Sequence, residues 1–427
     1  VGSEMCIRDR GYPLYLIIDE YDNFTNVILS EHGQQMFHDL THASGFYREY
    51  FKQFKGMFDR IFMMGVSPVT LDDLSSGYNI DWNISVDPRF NAMMGFDETE
   101  VREMFHYYQQ NDMLNGDVEA MIAEMKPWYD NYCFARKSLD DDRVFNCDMT
   151  LYYLRWQVDF HRAPEEMVDK NIRTDYSKLK MLARIDRDSV QEGDRMSTIE
   201  KIAAEGDIFV DLHTSFPAER ITDIDNFRSL LYYYGLLTMC GTRGDLIKMS
   251  IPNNCVREQY FGFLRDYYQK YSSIDLHYLN VMLTDMAYDG RWKPFFESVA
   301  QAYRENSAVR DAMEGERNLQ GFLKAYLALA SYYLVEPELE MNYGYCDFFL
   351  LPDKKRYPDV KHSYILELKY ATRTATDAEL EVQALEGRNQ LLQYSEDKIV
   401  RCLSEGTTLH RLLLQFRGWD LVRCEEV

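Results

Sequence analysis

Cysteine is sparse and unordered in this 427-residue chain: the eight cysteines fall into no C-x-x-C pair and no Cys/His spacing. That pattern argues against a zinc ribbon or finger and against a disulfide framework, so the expected compartment is a reducing cytoplasm. No apolar run approaches the ~20 residues that a membrane helix needs, and no membrane partner is expected. The phosphate-cradling loop G-x-x-x-x-G-K-[ST] occurs nowhere in the sequence. Positive charge is also short, with 47 Lys and Arg against 70 Asp and Glu and a formal net charge of −23. A chain this acidic repels phosphate at long range, and tight nonspecific nucleic-acid binding normally takes a basic face. Nucleic acid would therefore be held weakly by this chain alone, unless a divalent metal, a local cluster of Arg and Lys, or a partner offsets the charge.

What is present is ordinary for a globular protein, with 46% hydrophobic and 27% charged residues. The length is great for one core and predicts two or three domains. Residues 1–10, Val-Gly-Ser-Glu-Met-Cys-Ile-Arg-Asp-Arg, do not read as native and resemble translated sequencing adapter. They lack the apolar centre of a signal peptide, and real sequence upstream is expected to be missing.

Chemistry concentrates near the other end. Gly344-Tyr-Cys-Asp347-Phe-Phe-Leu-Leu-Pro352 and Tyr364-Ile-Leu-Glu367-Leu-Lys369-Tyr370 each read as a short apolar strand carrying acid, with a Pro, Lys and Asp turn between them. Alternation along a strand points Glu367 and Lys369 the same way and Leu368 the other. Paired as a hairpin, the two strands would put Asp347 beside Glu367, so that two carboxylates and an ammonium converge. Such a trio suits metal-assisted phosphodiester hydrolysis, because Mg²⁺ takes oxygen ligands from one or two carboxylates plus phosphate and water. The bland alternative is a salt bridge on a solvated strand face, since E-L-K is a common tripeptide.

The D…ExK arrangement of Asp347, Glu367 and Lys369 resembles the PD-(D/E)XK nuclease superfamily. That resemblance implies Asp347 and Glu367 as Mg²⁺ ligands, with the Leu368 carbonyl as a third, and Lys369 as the group that steers or deprotonates water. It also implies an acidic residue at the start of the preceding helix, here Glu316 in the amphipathic stretch 314–329. Complementing the helix dipole explains Glu316 equally well, and Glu336, Glu338 and Glu340 are alternatives on the extended segment that follows. Gln390-Leu-Leu-Gln-Tyr394, on a helix read over Asp377–Ser395, resembles the Q-x-x-x-Y signature of these domains, in which Gln390 would line the site. A strand His410–Trp419 completes the order helix, strand, strand, helix, strand.

At the amino end, Leu14-Tyr-Leu-Ile-Ile18 is an unbroken apolar run, which predicts a parallel strand buried on both faces. Asp19-Glu20-Tyr21-Asp22 follows at the strand end where open α/β sheets bind ligands. This resembles a Walker B strand, in which Asp19 would hold Mg²⁺ through water and Glu20 would orient the attacking water; solvated acids capping a strand are the plainer reading. A helix is read over 34–59, a second strand over Arg60–Met64, and a helix start at Asp97 with Glu100 three residues on. Together IIDEYDNF, FMMGVSPVTLDDLSSGYNI, FNAMMGFDETEV, WYDNYCF and VFNCDM resemble an AAA-ATPase-like family of Bacteroidetes type, whose members pair the ATPase with a C-terminal PD-(D/E)XK nuclease-like domain. The rings of Trp128–Tyr132 could stack on bases, but packing is the favoured reading. The helix over 225–235 followed by a hairpin is the layout of a winged helix.

The expected architecture is α/β. Residues 11–144 would hold a partial P-loop ATPase sheet, 145–300 a helical and winged-helix middle, and 301–427 a restriction-endonuclease-like domain. The resemblance implies Mg²⁺-dependent cleavage of nucleic acid, DNA favoured, with ATP bound only by the intact protein and a protein partner or second copy as further company. The competing expectation is a non-catalytic, ATP-switched interaction protein whose nuclease fold is vestigial, which the acidic charge favours.

Overall fold

The computed structural model describes residues 13–22, 54, 57–66, 82–141, 143–169, 179, 182, 192–216, 220, 223–309, 315–341 and 344–427. The chain divides into two compact units, Val1–Thr198 with Asp207–Arg257, and Ile199–Gly206 with Glu258–Val427.

In the first unit, β1 (Tyr15–Ile18) and β2 (Arg60–Met63) pair in parallel. The parallel pairing agrees with the apolar run, but burial on both faces does not: Tyr15 and Ile17 are 66% and 70% exposed. The reason is that these two strands make up the whole sheet among the described residues, and an apolar run cannot by itself supply a second covering layer. The helix expected over 34–59 falls largely outside the described residues.

Helix α1 (Glu98–Gln110) starts as its spacing predicts: Asp97 accepts from the Glu100 N–H at 2.8 Å, and Glu100 accepts from the Asp97 N–H at 3.0 Å. It packs with α2 (Val118–Tyr129) and α3 (Cys147–Phe160) around Val101, Phe105, Met125, Tyr129 and Tyr153. Tyr129 is fully buried and donates its hydroxyl to the Met167 carbonyl at 2.7 Å, while Trp128 lies partly buried against the same core. Packing therefore accounts for these rings.

Further along come α4 (Glu192–Glu205), β3 (Asp207–Val210), α5 (Ile224–Tyr233), β4 (Thr238–Arg243) and β5 (Leu246–Ser250). The helix and hairpin read from the sequence are both present, turning at Gly244 with φ +63°. The four-residue β3, too short to signal itself, joins β5 antiparallel and makes a three-stranded sheet in the order β3-β5-β4.

The C-terminal unit holds most of α6 (Asn254–Tyr268), then α7 (Leu276–Asp289), α8 (Lys293–Val309) and α9 (Glu316–Leu327). Its sheet contains β6 (Tyr333–Met341), β7 (Gly344–Pro352), β8 (His362–Ala371), β9 (Thr408–Arg417) and β10 (Asp420–Glu426), ordered β10-β9-β8-β7-β6. Helices α10 (Asp377–Glu396) and α11 (Lys398–Leu403) connect β8 to β9, which pair in parallel; the other neighbours are antiparallel.

Central β8 is buried on both faces along most of its length, with Ser363 and Glu367 among its buried residues. Pro337, which cannot donate to a ladder, sits in edge strand β6. Helix α10 opens with a capping box between Thr376 and Glu379 and buries Leu380, Ala384, Gly387, Leu391 and Tyr394 at helical spacing. Of these, Ala384, Leu391 and Tyr394 form a core with Phe349, Ile365, Val400 and Leu413. Each fully buried aliphatic there contributes about 1.5–3 kcal/mol. The strand expected over His410–Trp419 turns earlier, because Gly418 takes φ +60° and starts the turn into β10.

Candidate active site

The ladder between β7 and β8 covers Phe348↔Leu366, Phe349↔Ile365 and Leu350↔Tyr364. Asp347 and Glu367 form the next step beyond it. There the Asp347 side chain takes the place of a backbone acceptor, with Oδ2 accepting from the Leu368 N–H at 2.7 Å. Residues in a strand send N–H and C=O to the same edge, so the Leu368 carbonyl lies on the Asp347 side of β8.

Glu367 is 3% exposed. Its Oε1 accepts from Lys369 Nζ at 2.8 Å, and Lys369 Nζ also donates to Gln390 Oε1 on α10 at 2.7 Å. The other oxygen, Glu367 Oε2, is buried and receives no hydrogen bond among the described residues. Burial, then the charge of Asp347, push the Glu367 carboxyl up to about 7; Lys369 pulls against them and Glu316 adds to them. Tyr394, buried one turn beyond Gln390, is pushed well above the ordinary phenol range by burial and then by the charge of Glu367.

The structure thus brings together Asp347, Glu367, Leu368, Lys369 and Gln390. Glu316 is exposed in the first turn of α9 and acts on Glu367 through its field. One turn further on, Gln320 points its amide at Asp347 Oδ1, at 3.4 Å. Sequence reasoning missed Gln320, although its i+4 spacing from Glu316 places both on one helix face.

Helix α9 is held in place firmly. The Lys324 ammonium donates to the Ala204 carbonyl, Arg265 Nη1 donates to the Ala325 carbonyl at 2.7 Å, and Gly321 leaves room for the Glu200 backbone. The register of β6 on β7 sets the backbone of Glu338 across from Asp347; the side chains of Glu336, Glu338 and Glu340 lie outside the described residues. At the end of β1, Asp19 and Glu20 are both exposed, and Glu20 takes a left-handed φ of +49°. The neighbouring Asp22 is instead buried and accepts from the Val66 N–H at 3.0 Å, tying β1 to the segment after β2.

Residues 314–426 match the sequence pattern of the PD-(D/E)XK nuclease superfamily, and residues 3–75, which include β1 and β2, match that of a predicted AAA-ATPase. The chain carries an AAA-ATPase-like domain at its amino end and a PD-(D/E)XK nuclease-superfamily domain at its carboxyl end. No curated protein and no solved structure matches it. Among the described residues, no helix is long and apolar enough to cross a membrane.

Members of the nuclease superfamily typically use a divalent metal. Among the described residues no three His, Cys, Asp or Glu side chains gather as a ready-made metal cage. Two adjacent carboxylates still fit Mg²⁺, which keeps several waters and needs only one or two protein carboxylates. Glu367 Oε2, buried and without a hydrogen bond among the described residues, is an oxygen such a cation would satisfy.

Gly387 lets α10 approach β8 and β9. A Cβ there would stand 2.7 Å from Leu413 Cδ1 and 3.3 Å from Lys369 Cε. Gly387→Val should therefore displace Lys369 and cost about 1–3 kcal/mol of stability through overpacking, read as a lower urea midpoint. An unchanged midpoint would show that the helix can move away freely.

Proposed function

We propose that the C-terminal domain is a Mg²⁺-dependent nuclease that hydrolyses phosphodiesters of DNA. The observation that carries this reading is the convergence of the Asp347 carboxylate, the buried Glu367 carboxylate and the Lys369 ammonium at one step of the sheet. Asp347 and Glu367 would hold the metal, with the Leu368 carbonyl as a further oxygen donor. Bound there, the metal would supply Lewis-acid polarisation of the phosphoryl group. Lys369 would position and deprotonate the attacking water, Gln390 would fix the lysine's direction, and Glu316 would support the site from α9. In the AAA-ATPase-like domain, Asp19 and Glu20 would serve the Mg²⁺–ATP side of a nucleotide site.

Nicking of supercoiled plasmid tests the proposal. The full chain should nick in Mg²⁺ and stop in EDTA, and Asp347→Ala should be inactive with its fold intact. Equal nicking by parent and variant would remove the nuclease reading. The charge of −23 favours one second reading, an ATP-switched interaction protein with a vestigial site. It would gain if calorimetry found no Mg²⁺ or Mn²⁺ binding by the parent that Asp347→Ala abolishes.

A further inference from the structure

Five residues before Glu367, about 16 Å along β8 at the usual rise, lies a cluster of titratable side chains that the proposed chemistry does not use. His362 on β8 and His410 on β9 meet ring to ring, with Nδ1 of the first 2.9 Å from Nε2 of the second. The other ring nitrogen of His410, Nδ1, is 2.7 Å from Glu426 Oε1 at the end of β10. The second oxygen of Glu426 accepts from Trp292 Nε1, just before α8, at 3.2 Å. One chain of hydrogen bonds thus fastens three strands and the corner between α7 and α8. Its members are packed in place. The Tyr364 ring is stacked on His410 at 4.8 Å, and its hydroxyl donates to the Met286 carbonyl of α7 at 2.6 Å. Gly290 ends α7 with φ +71°, and a Cβ there would stand 2.9 Å from His362 Cε1.

An imidazole nitrogen that bears its proton donates, and one without it accepts. The contact between the two rings therefore holds a single proton, and one of the two facing nitrogens must be bare. Glu426 favours the arrangement in which His410 donates at both nitrogens, which leaves His362 Nδ1 as the acceptor. Other groups also bear on His362. Lys361 adjoins it, Asp289 at the end of α7 is paired with Arg291 at 2.8 Å, and the Tyr288 carbonyl offers an acceptor. Tyr333 of β6 donates its hydroxyl to the His362 carbonyl at 3.1 Å. Burial, then the charge of His410, hold the His362 imidazole below its ordinary 6.5, while the Tyr288 carbonyl and Asp289 pull the other way. A proton added to His362 sets N–H against N–H and charge against charge, so the contact breaks.

We propose that the His362–His410 pair is an acid-opened clasp, which holds the end of β10 and the α7–α8 corner on the sheet while His362 is neutral and releases them when it is protonated. It does not depend on the nuclease reading, and its test needs no activity. The closed clasp refuses a proton that the open chain takes up near 6.5, so its stability is fully present above that pH and is lost as pH falls further. Hydrogen exchange of the full chain, read by mass spectrometry at pH 7.5, 6.5 and 5.5 and scaled for the intrinsic effect of pH, follows the opening. Peptides covering residues 420–427, where the Val427 N–H donates to the Arg411 carbonyl at 2.9 Å, should keep their protection from pH 7.5 to 6.5. Between pH 6.5 and 5.5 they should lose up to about tenfold, the limit for one proton, while peptides from α10 keep theirs. His362→Asn, which offers an acceptor near the place of Nδ1 but takes no proton, should flatten that step. His362→Gln, a second uncharged replacement, should flatten it as well. Trp292→Phe should lower the protection at every pH and leave the step in place. A parent without the step, a step that survives both His362 replacements, or a loss shared equally by α10 overturns the inference.

Discussion

In metal-free protein at pH 8, Glu367→Gln should be more stable than the parent, and in Mg²⁺ it should have lost plasmid nicking. Glu367 sits buried beside Asp347, and its carboxyl is pushed up to about 7 from an ordinary 4.5. Between those two values the folded chain holds a proton that the unfolded chain has released. Stability from this group is therefore fully present below pH 4.5 and is lost as pH rises through 7. A displacement of that size corresponds to about 3 kcal/mol at most. Glutamine has nearly the same shape, keeps an oxygen for Lys369, and cannot ionise. Its advantage should be largest above pH 7 and vanish near pH 4.5, as read from urea midpoints in EDTA. Added Mg²⁺ should reverse the order by stabilising the parent alone. Identical midpoints for the two proteins at both pH values would show that Glu367 carries no such penalty.

Lys369→Ala should lower the nicking rate about 10²- to 10⁴-fold, the range for removing a group that moves a proton. Metal binding should survive this substitution, because the ligands are carboxylates. It should need a higher pH, however, since the Lys369 hydrogen bond and charge are what pull the Glu367 carboxyl back down. Gln390→Ala should have the same character with a smaller effect, because the lysine remains but loses its second partner at 2.7 Å. The measurement is the single-turnover nicking rate against pH, beside calorimetric Mn²⁺ titrations at pH 6.5 and 8. A Lys369→Ala protein that nicks at the parental rate removes the lysine from the chemistry. One that no longer binds Mn²⁺ even at pH 8 would make it a structural counter-ion to Glu367.

Local pattern determined much of this protein by itself. The capping boxes at Asp97 and Thr376, the spacing of buried residues along α10, the strand pair around Asp347 and Glu367, and the alternation that aims Glu367 with Lys369 all follow from periodicities of a few residues. Burial was not readable in that way. Tyr15 and Ile17 belong to an apolar run yet are exposed, because covering a strand takes partners that its own residues do not encode.

Tertiary structure alone decided that Gln320 reaches Asp347, that Gly387 admits α10 beside Lys369, and that Glu367 keeps one oxygen buried without a hydrogen-bond donor among the described residues. Each depends on how closely separate elements approach, and that distance is set by the packing of all their side chains together. The identity of the residues at the site is a property of the strand. The energy of Glu367, and so the demand for a cation there, is a property of what surrounds it.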